Sequence, residues 1–323
     1  MAMQFRHYRF VDWATQAYLL FVTLLLILFH NGTVPEWRLL VPGHLVAMGL
    51  IHGLVNAHAG NPRGRIVDLL RHTYPILLYT GFYRETGALN LMFMPEYADP
   101  IFIRLEQVVF GAQPSVSFMD RLPFIYVSEV FYASYFSYYL MIAGVGVALL
   151  IRNRQQFFHY VSVTSFVFYV CYVIYIFLPV MGPRAFSREI EGYHLPEDVQ
   201  SLVGDVSYPA AVQAGPFFRI MAFIYHNFEA PGAAFPSSHV AIAWCTVFFS
   251  FRYFRSIRWF HAVLATLLSL ATVYCRYHYA VDVVAGLLTT AILVPLGDRL
   301  YRRSASLESA KSSSAPPALD RIG

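Results

Sequence analysis

Residues 236–251 read PSSHVAIAWCTVFFSF and change within four residues from polar to apolar. Serine directly before an apolar run is typical of a helix start, because its hydroxyl accepts a hydrogen bond from a free backbone N–H group. After His239 the stretch contains no charged side chain, as expected of a helix that enters a lipid bilayer. It therefore predicts a membrane span whose first turn places a histidine at the positive end of the helix dipole, where anions bind.

Composition extends this prediction to the whole chain. Of its 323 residues, 57% are hydrophobic and only 13% are charged, whereas a soluble domain carries about 25% charged residues. Apolar runs of about 20 residues, the length that crosses a bilayer, recur along the sequence. We predict an all-α, polytopic transmembrane helix bundle with about eight spans, at residues 13–29, 39–57, 66–83, 124–151, 157–178, 239–254, 259–275 and 281–297.

Arginine clusters predict the orientation of these spans, because cytoplasmic segments of membrane proteins are enriched in Arg and Lys. With eight spans and a cytoplasmic N-terminus, every dense arginine cluster lies on the cytoplasmic side. The third span has polar residues at its start, but removing it would move Arg152 and Arg154 to the outside. The pattern therefore favours a true third crossing, two cytoplasmic termini, and an extracytoplasmic position for His239. The clusters are Arg6 and Arg9, Arg63 and Arg65, Arg152 and Arg154, Arg252, Arg255 and Arg258, and Arg299, Arg302 and Arg303.

Two long segments are then predicted to face the extracytoplasmic side. Residues 84–123 contain an amphipathic helix that begins near Asp99 and lies on the membrane surface. Residues 179–238 form the longest polar stretch, of a length often found in lids and binding segments. We divide the chain into N-terminal transmembrane helices (1–94), a membrane catalytic domain (95–297) and a disordered, Ser- and Ala-rich cytoplasmic tail (298–323).

Three clusters of polar residues fall at the predicted outer ends of spans five, six and eight. Arg184 follows a Pro- and Gly-rich helix end, His239 begins span six, and His278 and Asp282 precede and begin span eight. His278 and Asp282 are four residues apart, so on a helix they share one face. A carboxylate in that position can fix the tautomer of the imidazole and leave its other nitrogen as a nucleophile or base.

Each cluster alone also fits a structural role. Arg184 can be an interfacial arginine that reaches lipid head groups, Ser237 an ordinary helix cap, and the His278–Asp282 pair a buried link between helices. Joint placement favours a common site, because spans six and eight both run inward and their positive ends point to one face. Such a site suits a phosphate group whose lipid tails lie in the bilayer.

The order of these motifs resembles that of the type-2 phosphatidic acid phosphatase superfamily. Gly-Pro-Arg ends at Arg184, Pro-Ser-Ser-His ends at His239, and His-Tyr-x-x-Asp follows at 278–282. The resemblance covers roughly residues 95–297, implies a phosphatase-like core of six membrane helices, and is greatest to the branch that contains inositol phosphorylceramide synthases. Three departures from the general pattern fit that branch, where a lysine, a proline and an arginine are replaced: Phe177, Ala185 and Thr272.

The resemblance implies a mechanism that uses no metal and no cofactor. His278 would attack phosphorus and form a phosphohistidine, and Asp282 would orient the ring. His239 would protonate the leaving group and then activate the acceptor. The phosphoryl oxygens would be held by side chains and backbone N–H groups of Arg184, Arg276, Ser237 and Ser238.

We therefore expect a lipid phosphotransferase of the cell membrane that acts on a phospholipid or another lipid phosphate. A polyol is the candidate acceptor, hydrolysis by water is the enzymatic alternative, and no nucleic-acid partner is implied. Two non-enzyme hypotheses are weaker. Haem binding needs histidines at matching depth on facing helices, and the eight-residue spacing of His44 and His52 is not diagnostic. A lipid transporter often shows paired broken helices or inverted repeats, and neither is evident in the sequence.

Overall fold

The computed structural model describes residues 5–61, 64–187 and 193–313 of the chain, with side chains to residue 307. This part of the chain folds into helices and contains no strands, which confirms the predicted all-α fold. The described helices are α1 (Phe10–Phe29), α2 (Trp37–Gly60), α3 (Arg65–Leu89), α4 (Asp99–Phe110), α5 (Pro114–Arg121), α6 (Ile125–Arg152), α7 (Arg154–Phe177), α8 (Glu197–Val203), α9 (Ala210–Gln213), α10 (Pro216–Phe228), α11 (Ser238–Tyr253), α12 (Arg258–Tyr274) and α13 (Ala280–Ser313), with short 3-10 turns at Phe5–His7 and Pro183–Ser187.

Among the described residues, five helices are long and apolar enough to cross a membrane. They are α1, α2, α6, α7 and the part of α13 from Ala280 to Leu307. The other three predicted spans correspond to α3, which has charged residues in its first turns, and to α11 and α12, which contain 16 and 17 residues. The eight-span count and the direction in which the chain crosses the membrane stay predictions.

Helix α7 is the centre of the bundle. It packs against α1, α3, α6, α11 and α13, and it has buried side chains on all its faces from Phe157 to Ile176. A helix that is buried all round belongs in the interior of a large bundle. Through α7 the N-terminal helices share one core with the helices that carry the three motifs.

Short connections make the long helices antiparallel, so that α6, α11 and α13 begin where α7 and α12 end. We call this end of the bundle the site end. The short helices gather there as well, because α4 packs on α13 and α8, α5 packs on α12, and α9 and α10 pack on α6. All three motif loops are therefore brought to the same end of the protein.

Helix α13 continues past the predicted end of span eight. The sequence predicts a disordered tail over residues 298–323, whereas the structure extends the helix to Ser313. Residues 299–311 are rich in Arg, Ala, Leu and other strong helix formers. At the start of this extension Asp298 pairs with Arg252 at 3.0 Å and with Arg302 at 2.9 Å. Residues 314–323 and Arg63 lie outside the described residues.

The two histidines considered as a haem-ligand pair have both ring nitrogens engaged by protein groups. His44 Nε2 lies 2.7 Å from Glu85 Oε1, and its Nδ1 is hydrogen-bonded to a threonine hydroxyl. His52 is hydrogen-bonded to Tyr8 through one nitrogen and to an asparagine through the other. Axial ligation of an iron would break these contacts, so their placement gives the haem hypothesis no support.

A buried ion pair joins α1 to α3 at the end opposite the site. Arg71 Nη2 lies 2.5 Å from one carboxylate oxygen of Asp12, and the Tyr74 hydroxyl donates to the other oxygen at 2.5 Å. The Asp12 side chain is fully buried and that of Arg71 is 3% exposed. Water therefore screens neither charge, and each is stabilised by protein groups alone.

We expect Arg71→Ala to lower the free energy of unfolding by about 3–5 kcal/mol, because it leaves the Asp12 carboxylate buried without its counter-ion. Thermal unfolding of the detergent-solubilised protein measures the loss. Arg299→Ala removes an exposed arginine of α13 and is the matched control, with an expected change within about 0.5 kcal/mol. Equal melting temperatures for the two variants would show that this pair does not hold α1 against α3.

Candidate active site

His278 lies between α12 and α13, and its ring is fixed from both sides. Its backbone N–H donates to the Thr272 carbonyl at 3.1 Å, and its Nδ1 donates to the Ala234 carbonyl at 2.9 Å. The Asp282 carboxylate lies 3.4 Å from Nδ1, so the carbonyl is the nearer acceptor, where the sequence predicted the carboxylate. Both acceptors favour a proton on Nδ1 and leave the Nε2 lone pair for nucleophilic attack.

Asp282 is fully buried in the first turn of α13. One of its carboxylate oxygens accepts the backbone N–H of Tyr279 at 2.9 Å, and the other has no hydrogen-bond partner among the described residues. A negative charge in this position favours a positive charge on the nearby imidazole. The arrangement can therefore stabilise a positive charge on the His278 ring.

His239 lies in the first turn of α11 and faces His278. His239 Nδ1 is 3.4 Å from His278 Nε2, and the ring centroids are 5.6 Å apart. The rings of Tyr135 and Tyr138 flank His239, with centroids at 5.2 and 4.7 Å. The two imidazoles that the sequence placed on spans six and eight thus converge on one point.

Contacts between the first turns of α11 and α13 explain this convergence. Ser237 Oγ accepts the Val240 N–H at 3.3 Å and so caps α11, as predicted. Ser237 N–H donates to the carbonyl of Asp282 at 3.2 Å. Gly286 of α13 lies so close that a Cβ would be 2.7 Å from the Ser237 carbonyl oxygen. The backbones of α11 and α13 are therefore in direct contact.

The predicted phosphate contacts from Ser237 and Ser238 are only partly available. The Ser237 N–H is used by Asp282, and the Ser238 N–H donates to the Tyr175 hydroxyl at 3.2 Å. Both serines are buried. Their backbone N–H groups hold the start of α11 in place. Ser238 also lines a cavity next to the site, which is described below.

Arg184 is the cation of the site. It is 6% exposed, pairs with Glu229, and stacks on Tyr225 with its guanidinium carbon 4.4 Å from the ring centre. Its Nη1 has no hydrogen-bond partner among the described residues. Burial lowers the pKa of His278 to about 4, and the Arg184 charge acts in the same direction. Arg184 also lies over the ring of Tyr277, the residue before His278, with its guanidinium carbon 5.4 Å from the ring centre. The low pKa favours a neutral His278 ring at neutral pH.

Arg276 does not join this group. Its backbone has φ 63°, in the left-handed region, and its side chain is fully buried. The guanidinium donates to the Ser207 carbonyl at 2.7 Å and to Asp120 at 2.5 Å. These contacts tie the loop before α13 to α5 and to the segment before α9. They give the predicted phosphate-binding role of Arg276 no support.

Two carboxylates of α4 position the motif loops, and sequence reasoning gave them no such role. Asp99 accepts the backbone N–H groups of Met181 and Gly182 at 2.8 and 2.9 Å and the Tyr279 hydroxyl at 2.8 Å. Glu106, two turns later on the same face, accepts the Ala280 N–H at 2.5 Å. Burial raises the pKa of Asp99 and brings that of Glu106 to about 7, against the opposing effect of these hydrogen bonds.

Two cavities meet at the site. One, which we call the aromatic cavity, has a volume of about 410 Å³ and reaches His239 from between α3, α6, α7 and α10; its lining includes Tyr79, Tyr83, Tyr138, Tyr172 and Phe228. The other, which we call the polar cavity, has a volume of about 230 Å³ and is lined by Met181, Arg184, Ala185, Tyr225, His226, Glu229 and Pro231. Tyr225 and Glu229 line both. Within the described residues no group of His, Cys, Asp or Glu is arranged to hold a metal ion.

The comparison with known families identifies this arrangement. The family model described as PAP2 superfamily matches residues 102–296, more than half of the chain. The matched range contains all the motif residues above and begins after α3, one of the helices that line the aromatic cavity. No curated protein and no solved structure matches the chain.

We expect Asp99→Asn to weaken anion binding at the site at least tenfold. An asparagine amide offers N–H where the carboxylate accepts one, so one of two buried backbone donors loses its partner and the loop that carries Arg184 shifts. The dissociation constant of orthovanadate, followed by thermal shift, measures the effect. Asp198→Asn, which removes only an exposed ion-pair partner of Arg104, is the control. Equal vanadate affinity in the Asp99 variant and the wild type would contradict the positioning role.

Proposed function

Because the chain belongs to the PAP2 superfamily, we propose that it transfers a phosphoryl group from a membrane lipid through a phosphohistidine on His278. Membership supports an enzyme of the phosphatase or phosphotransferase type that acts on lipid phosphates. The single observation that carries the mechanism is the 3.4 Å approach of His278 Nε2 to His239 Nδ1, with Arg184 over the ring of the adjacent Tyr277. A nucleophile, an acid and a cation then surround one phosphoryl position.

The first half-reaction forms the covalent intermediate. His278 Nε2 attacks phosphorus, the N–P bond forms, and the P–O bond to the lipid alcohol breaks as that oxygen takes a proton from His239. The phosphorus must lie between the two nitrogens, so binding of the phosphoryl group separates them. Arg184 Nη1 supplies a donor for the phosphoryl oxygens, and positioning with charge stabilisation is what this reaction class mainly requires.

The second half-reaction restores the enzyme. The acceptor hydroxyl passes its proton to His239 while its oxygen bonds to phosphorus and the N–P bond breaks. A covalent intermediate divides one difficult displacement into two easier ones. The Asp282 carboxylate stabilises the positive charge that His278 carries while it is phosphorylated.

The aromatic cavity supports a lipid as the donor. Its walls are largely tyrosine and phenylalanine side chains, and α3 and α6 both pack on α7 on either side of it. Thr80 and Phe228 on its rim are exposed, toward the surface that a bilayer would cover. A lipid can therefore place its tail in the cavity and its phosphate beside His239. We propose that this end faces the extracytoplasmic side, as the arginine pattern predicts.

We further propose transfer rather than hydrolysis as the main reaction, on the resemblance to inositol phosphorylceramide synthases. The test uses purified enzyme, phosphatidic acid labelled with ³²P, and myo-inositol as a polyol acceptor. We expect labelled inositol phosphate to form in proportion to the inositol present. Label found only as free phosphate at every inositol concentration would contradict transfer and establish hydrolysis.

We expect His278→Ala to abolish turnover while the protein still folds, because it removes the imidazole nitrogen that attacks phosphorus and leaves only the acid, His239, at that position. Asp282→Asn is expected to lose activity by two orders of magnitude or more; an orienting carboxylate is worth about 10⁴ in serine proteases, and here the Ala234 carbonyl keeps part of the orientation. Release of label from ³²P-phosphatidic acid measures both. His194→Ala, at an exposed position before α8, is the control. Near-normal activity in either variant would defeat these roles.

A further inference from the structure

Arg184 already has an anionic partner that belongs to the protein. Its guanidinium is paired with the Glu229 carboxylate, and both side chains are largely buried, at 8% and 20% exposure. Carboxylate and phosphate use the same fork of guanidinium N–H donors. A phosphoryl group that binds Arg184 must therefore compete with Glu229 and, because both are negative, repel it.

Glu229 stands on the boundary between the two cavities. It follows the last residue of α10 and, together with Tyr225, lines both the aromatic and the polar cavity. The aromatic cavity reaches His239 from between the long helices, whereas Arg184 and His226 line the polar cavity. A carboxylate in this place can contact a group in either one.

The backbone after Glu229 is fixed, so the side chain is the part that can move. Asn90 at the end of α3 donates to the Pro231 carbonyl at 2.5 Å, and Val180 N–H donates to the Gly232 carbonyl at 3.0 Å. Gly87 of α3 lies so close to Pro231 that a Cβ would be 2.8 Å from its ring. The loop cannot withdraw, and a displaced carboxylate must turn about its own side-chain bonds. The polar cavity, with His226 on its wall, offers the space.

On the basis of the proposed function, we propose that the polar cavity is the binding site of a polyhydroxyl acceptor and that Glu229, displaced from Arg184 by the phosphoryl group, positions it. One hydroxyl of the acceptor donates to the Glu229 carboxylate. A second hydroxyl loses its proton to His239 as its oxygen bonds to phosphorus and the N–P bond to His278 breaks. A polyol makes the two contacts through separate oxygens and keeps its hydrogen bond to Glu229 while the other oxygen bonds to phosphorus, so Glu229 favours transfer to a polyol over hydrolysis.

The size and chemistry of the cavity fit such a ligand. A volume of about 230 Å³ corresponds to roughly eight water molecules in the liquid, which suits a polyol of ring size and excludes a second lipid. Glu229 is a positioning residue in this scheme and makes no bond to phosphorus. Its substitution must therefore change the choice of acceptor, which a purely structural role would not do.

The test is Glu229→Gln, with two measurements. In one reaction with ³²P-phosphatidic acid and myo-inositol, the ratio of inositol phosphate to free phosphate is expected to fall at least tenfold, the usual effect of losing a hydrogen bond to a charged group. The dissociation constant of inorganic phosphate, from thermal shift, is expected to fall several-fold, because the competing negative charge on Arg184 is gone. Glu197→Gln, on the exposed first turn of α8, is the matched control and should change neither value.

The outcomes separate this inference from the proposed function. If the wild type forms inositol phosphate but the variant keeps the same product ratio, the role of Glu229 is overturned and the phosphotransferase stands. If the wild type only hydrolyses the lipid, transfer and the acceptor site are both overturned. An unchanged phosphate affinity in the variant overturns the competition at Arg184, since that measurement needs no turnover.

Discussion

The backbone contact between the first turns of α11 and α13 is the constraint on which the rest of the site depends. Ser237 N–H donates to the Asp282 carbonyl, and Gly286 permits a distance that any larger residue would prevent. Because the two helix N-termini are in contact, the positive ends of both helix dipoles point to one place, which favours an anion there. The same contact brings His239 and His278 together, so the helix packing creates both a position that favours an anion and the pair of imidazoles to which we assign the acid and the nucleophile.

Two buried carboxylates and a half-buried one extend this constraint to the surrounding loops. Burying a carboxylate inside a protein costs free energy unless the carboxylate is hydrogen-bonded. Here backbone N–H groups supply the hydrogen bonds. Asp99 holds the loop before Arg184, Glu106 holds the start of α13, and Glu129 of α6 accepts the Phe217 N–H at 2.9 Å at the start of α10. Each fixes a helix end or a loop near the site. The site is therefore organised by carboxylate side chains that accept main-chain N–H groups.

Sequence patterns predicted the helices and the spacing of neighbouring site residues, which depend on local chemistry. The structure was needed to show where each side chain points and which distant residues it contacts. Apolar runs and the serine cap located the helices, and the four-residue spacing placed His278 near Asp282. Arg276 and Arg184 look alike in sequence, yet the left-handed backbone at Arg276 sends its side chain to Asp120. The partner of Arg184, Glu229, lies 45 residues further along the chain, with no pattern that links the two. The contribution of α3 to the aromatic cavity likewise follows from packing on α7.

The central claim is that His278 becomes phosphorylated during turnover. The direct measurement is to mix the enzyme with ³²P-phosphatidic acid, quench at short times, and map the labelled residue by peptide mass spectrometry. We predict label on His278 that is lost in acid and stable in alkali, as expected of a phosphorus–nitrogen bond. Turnover without any protein-bound label, or label on another residue, would contradict it.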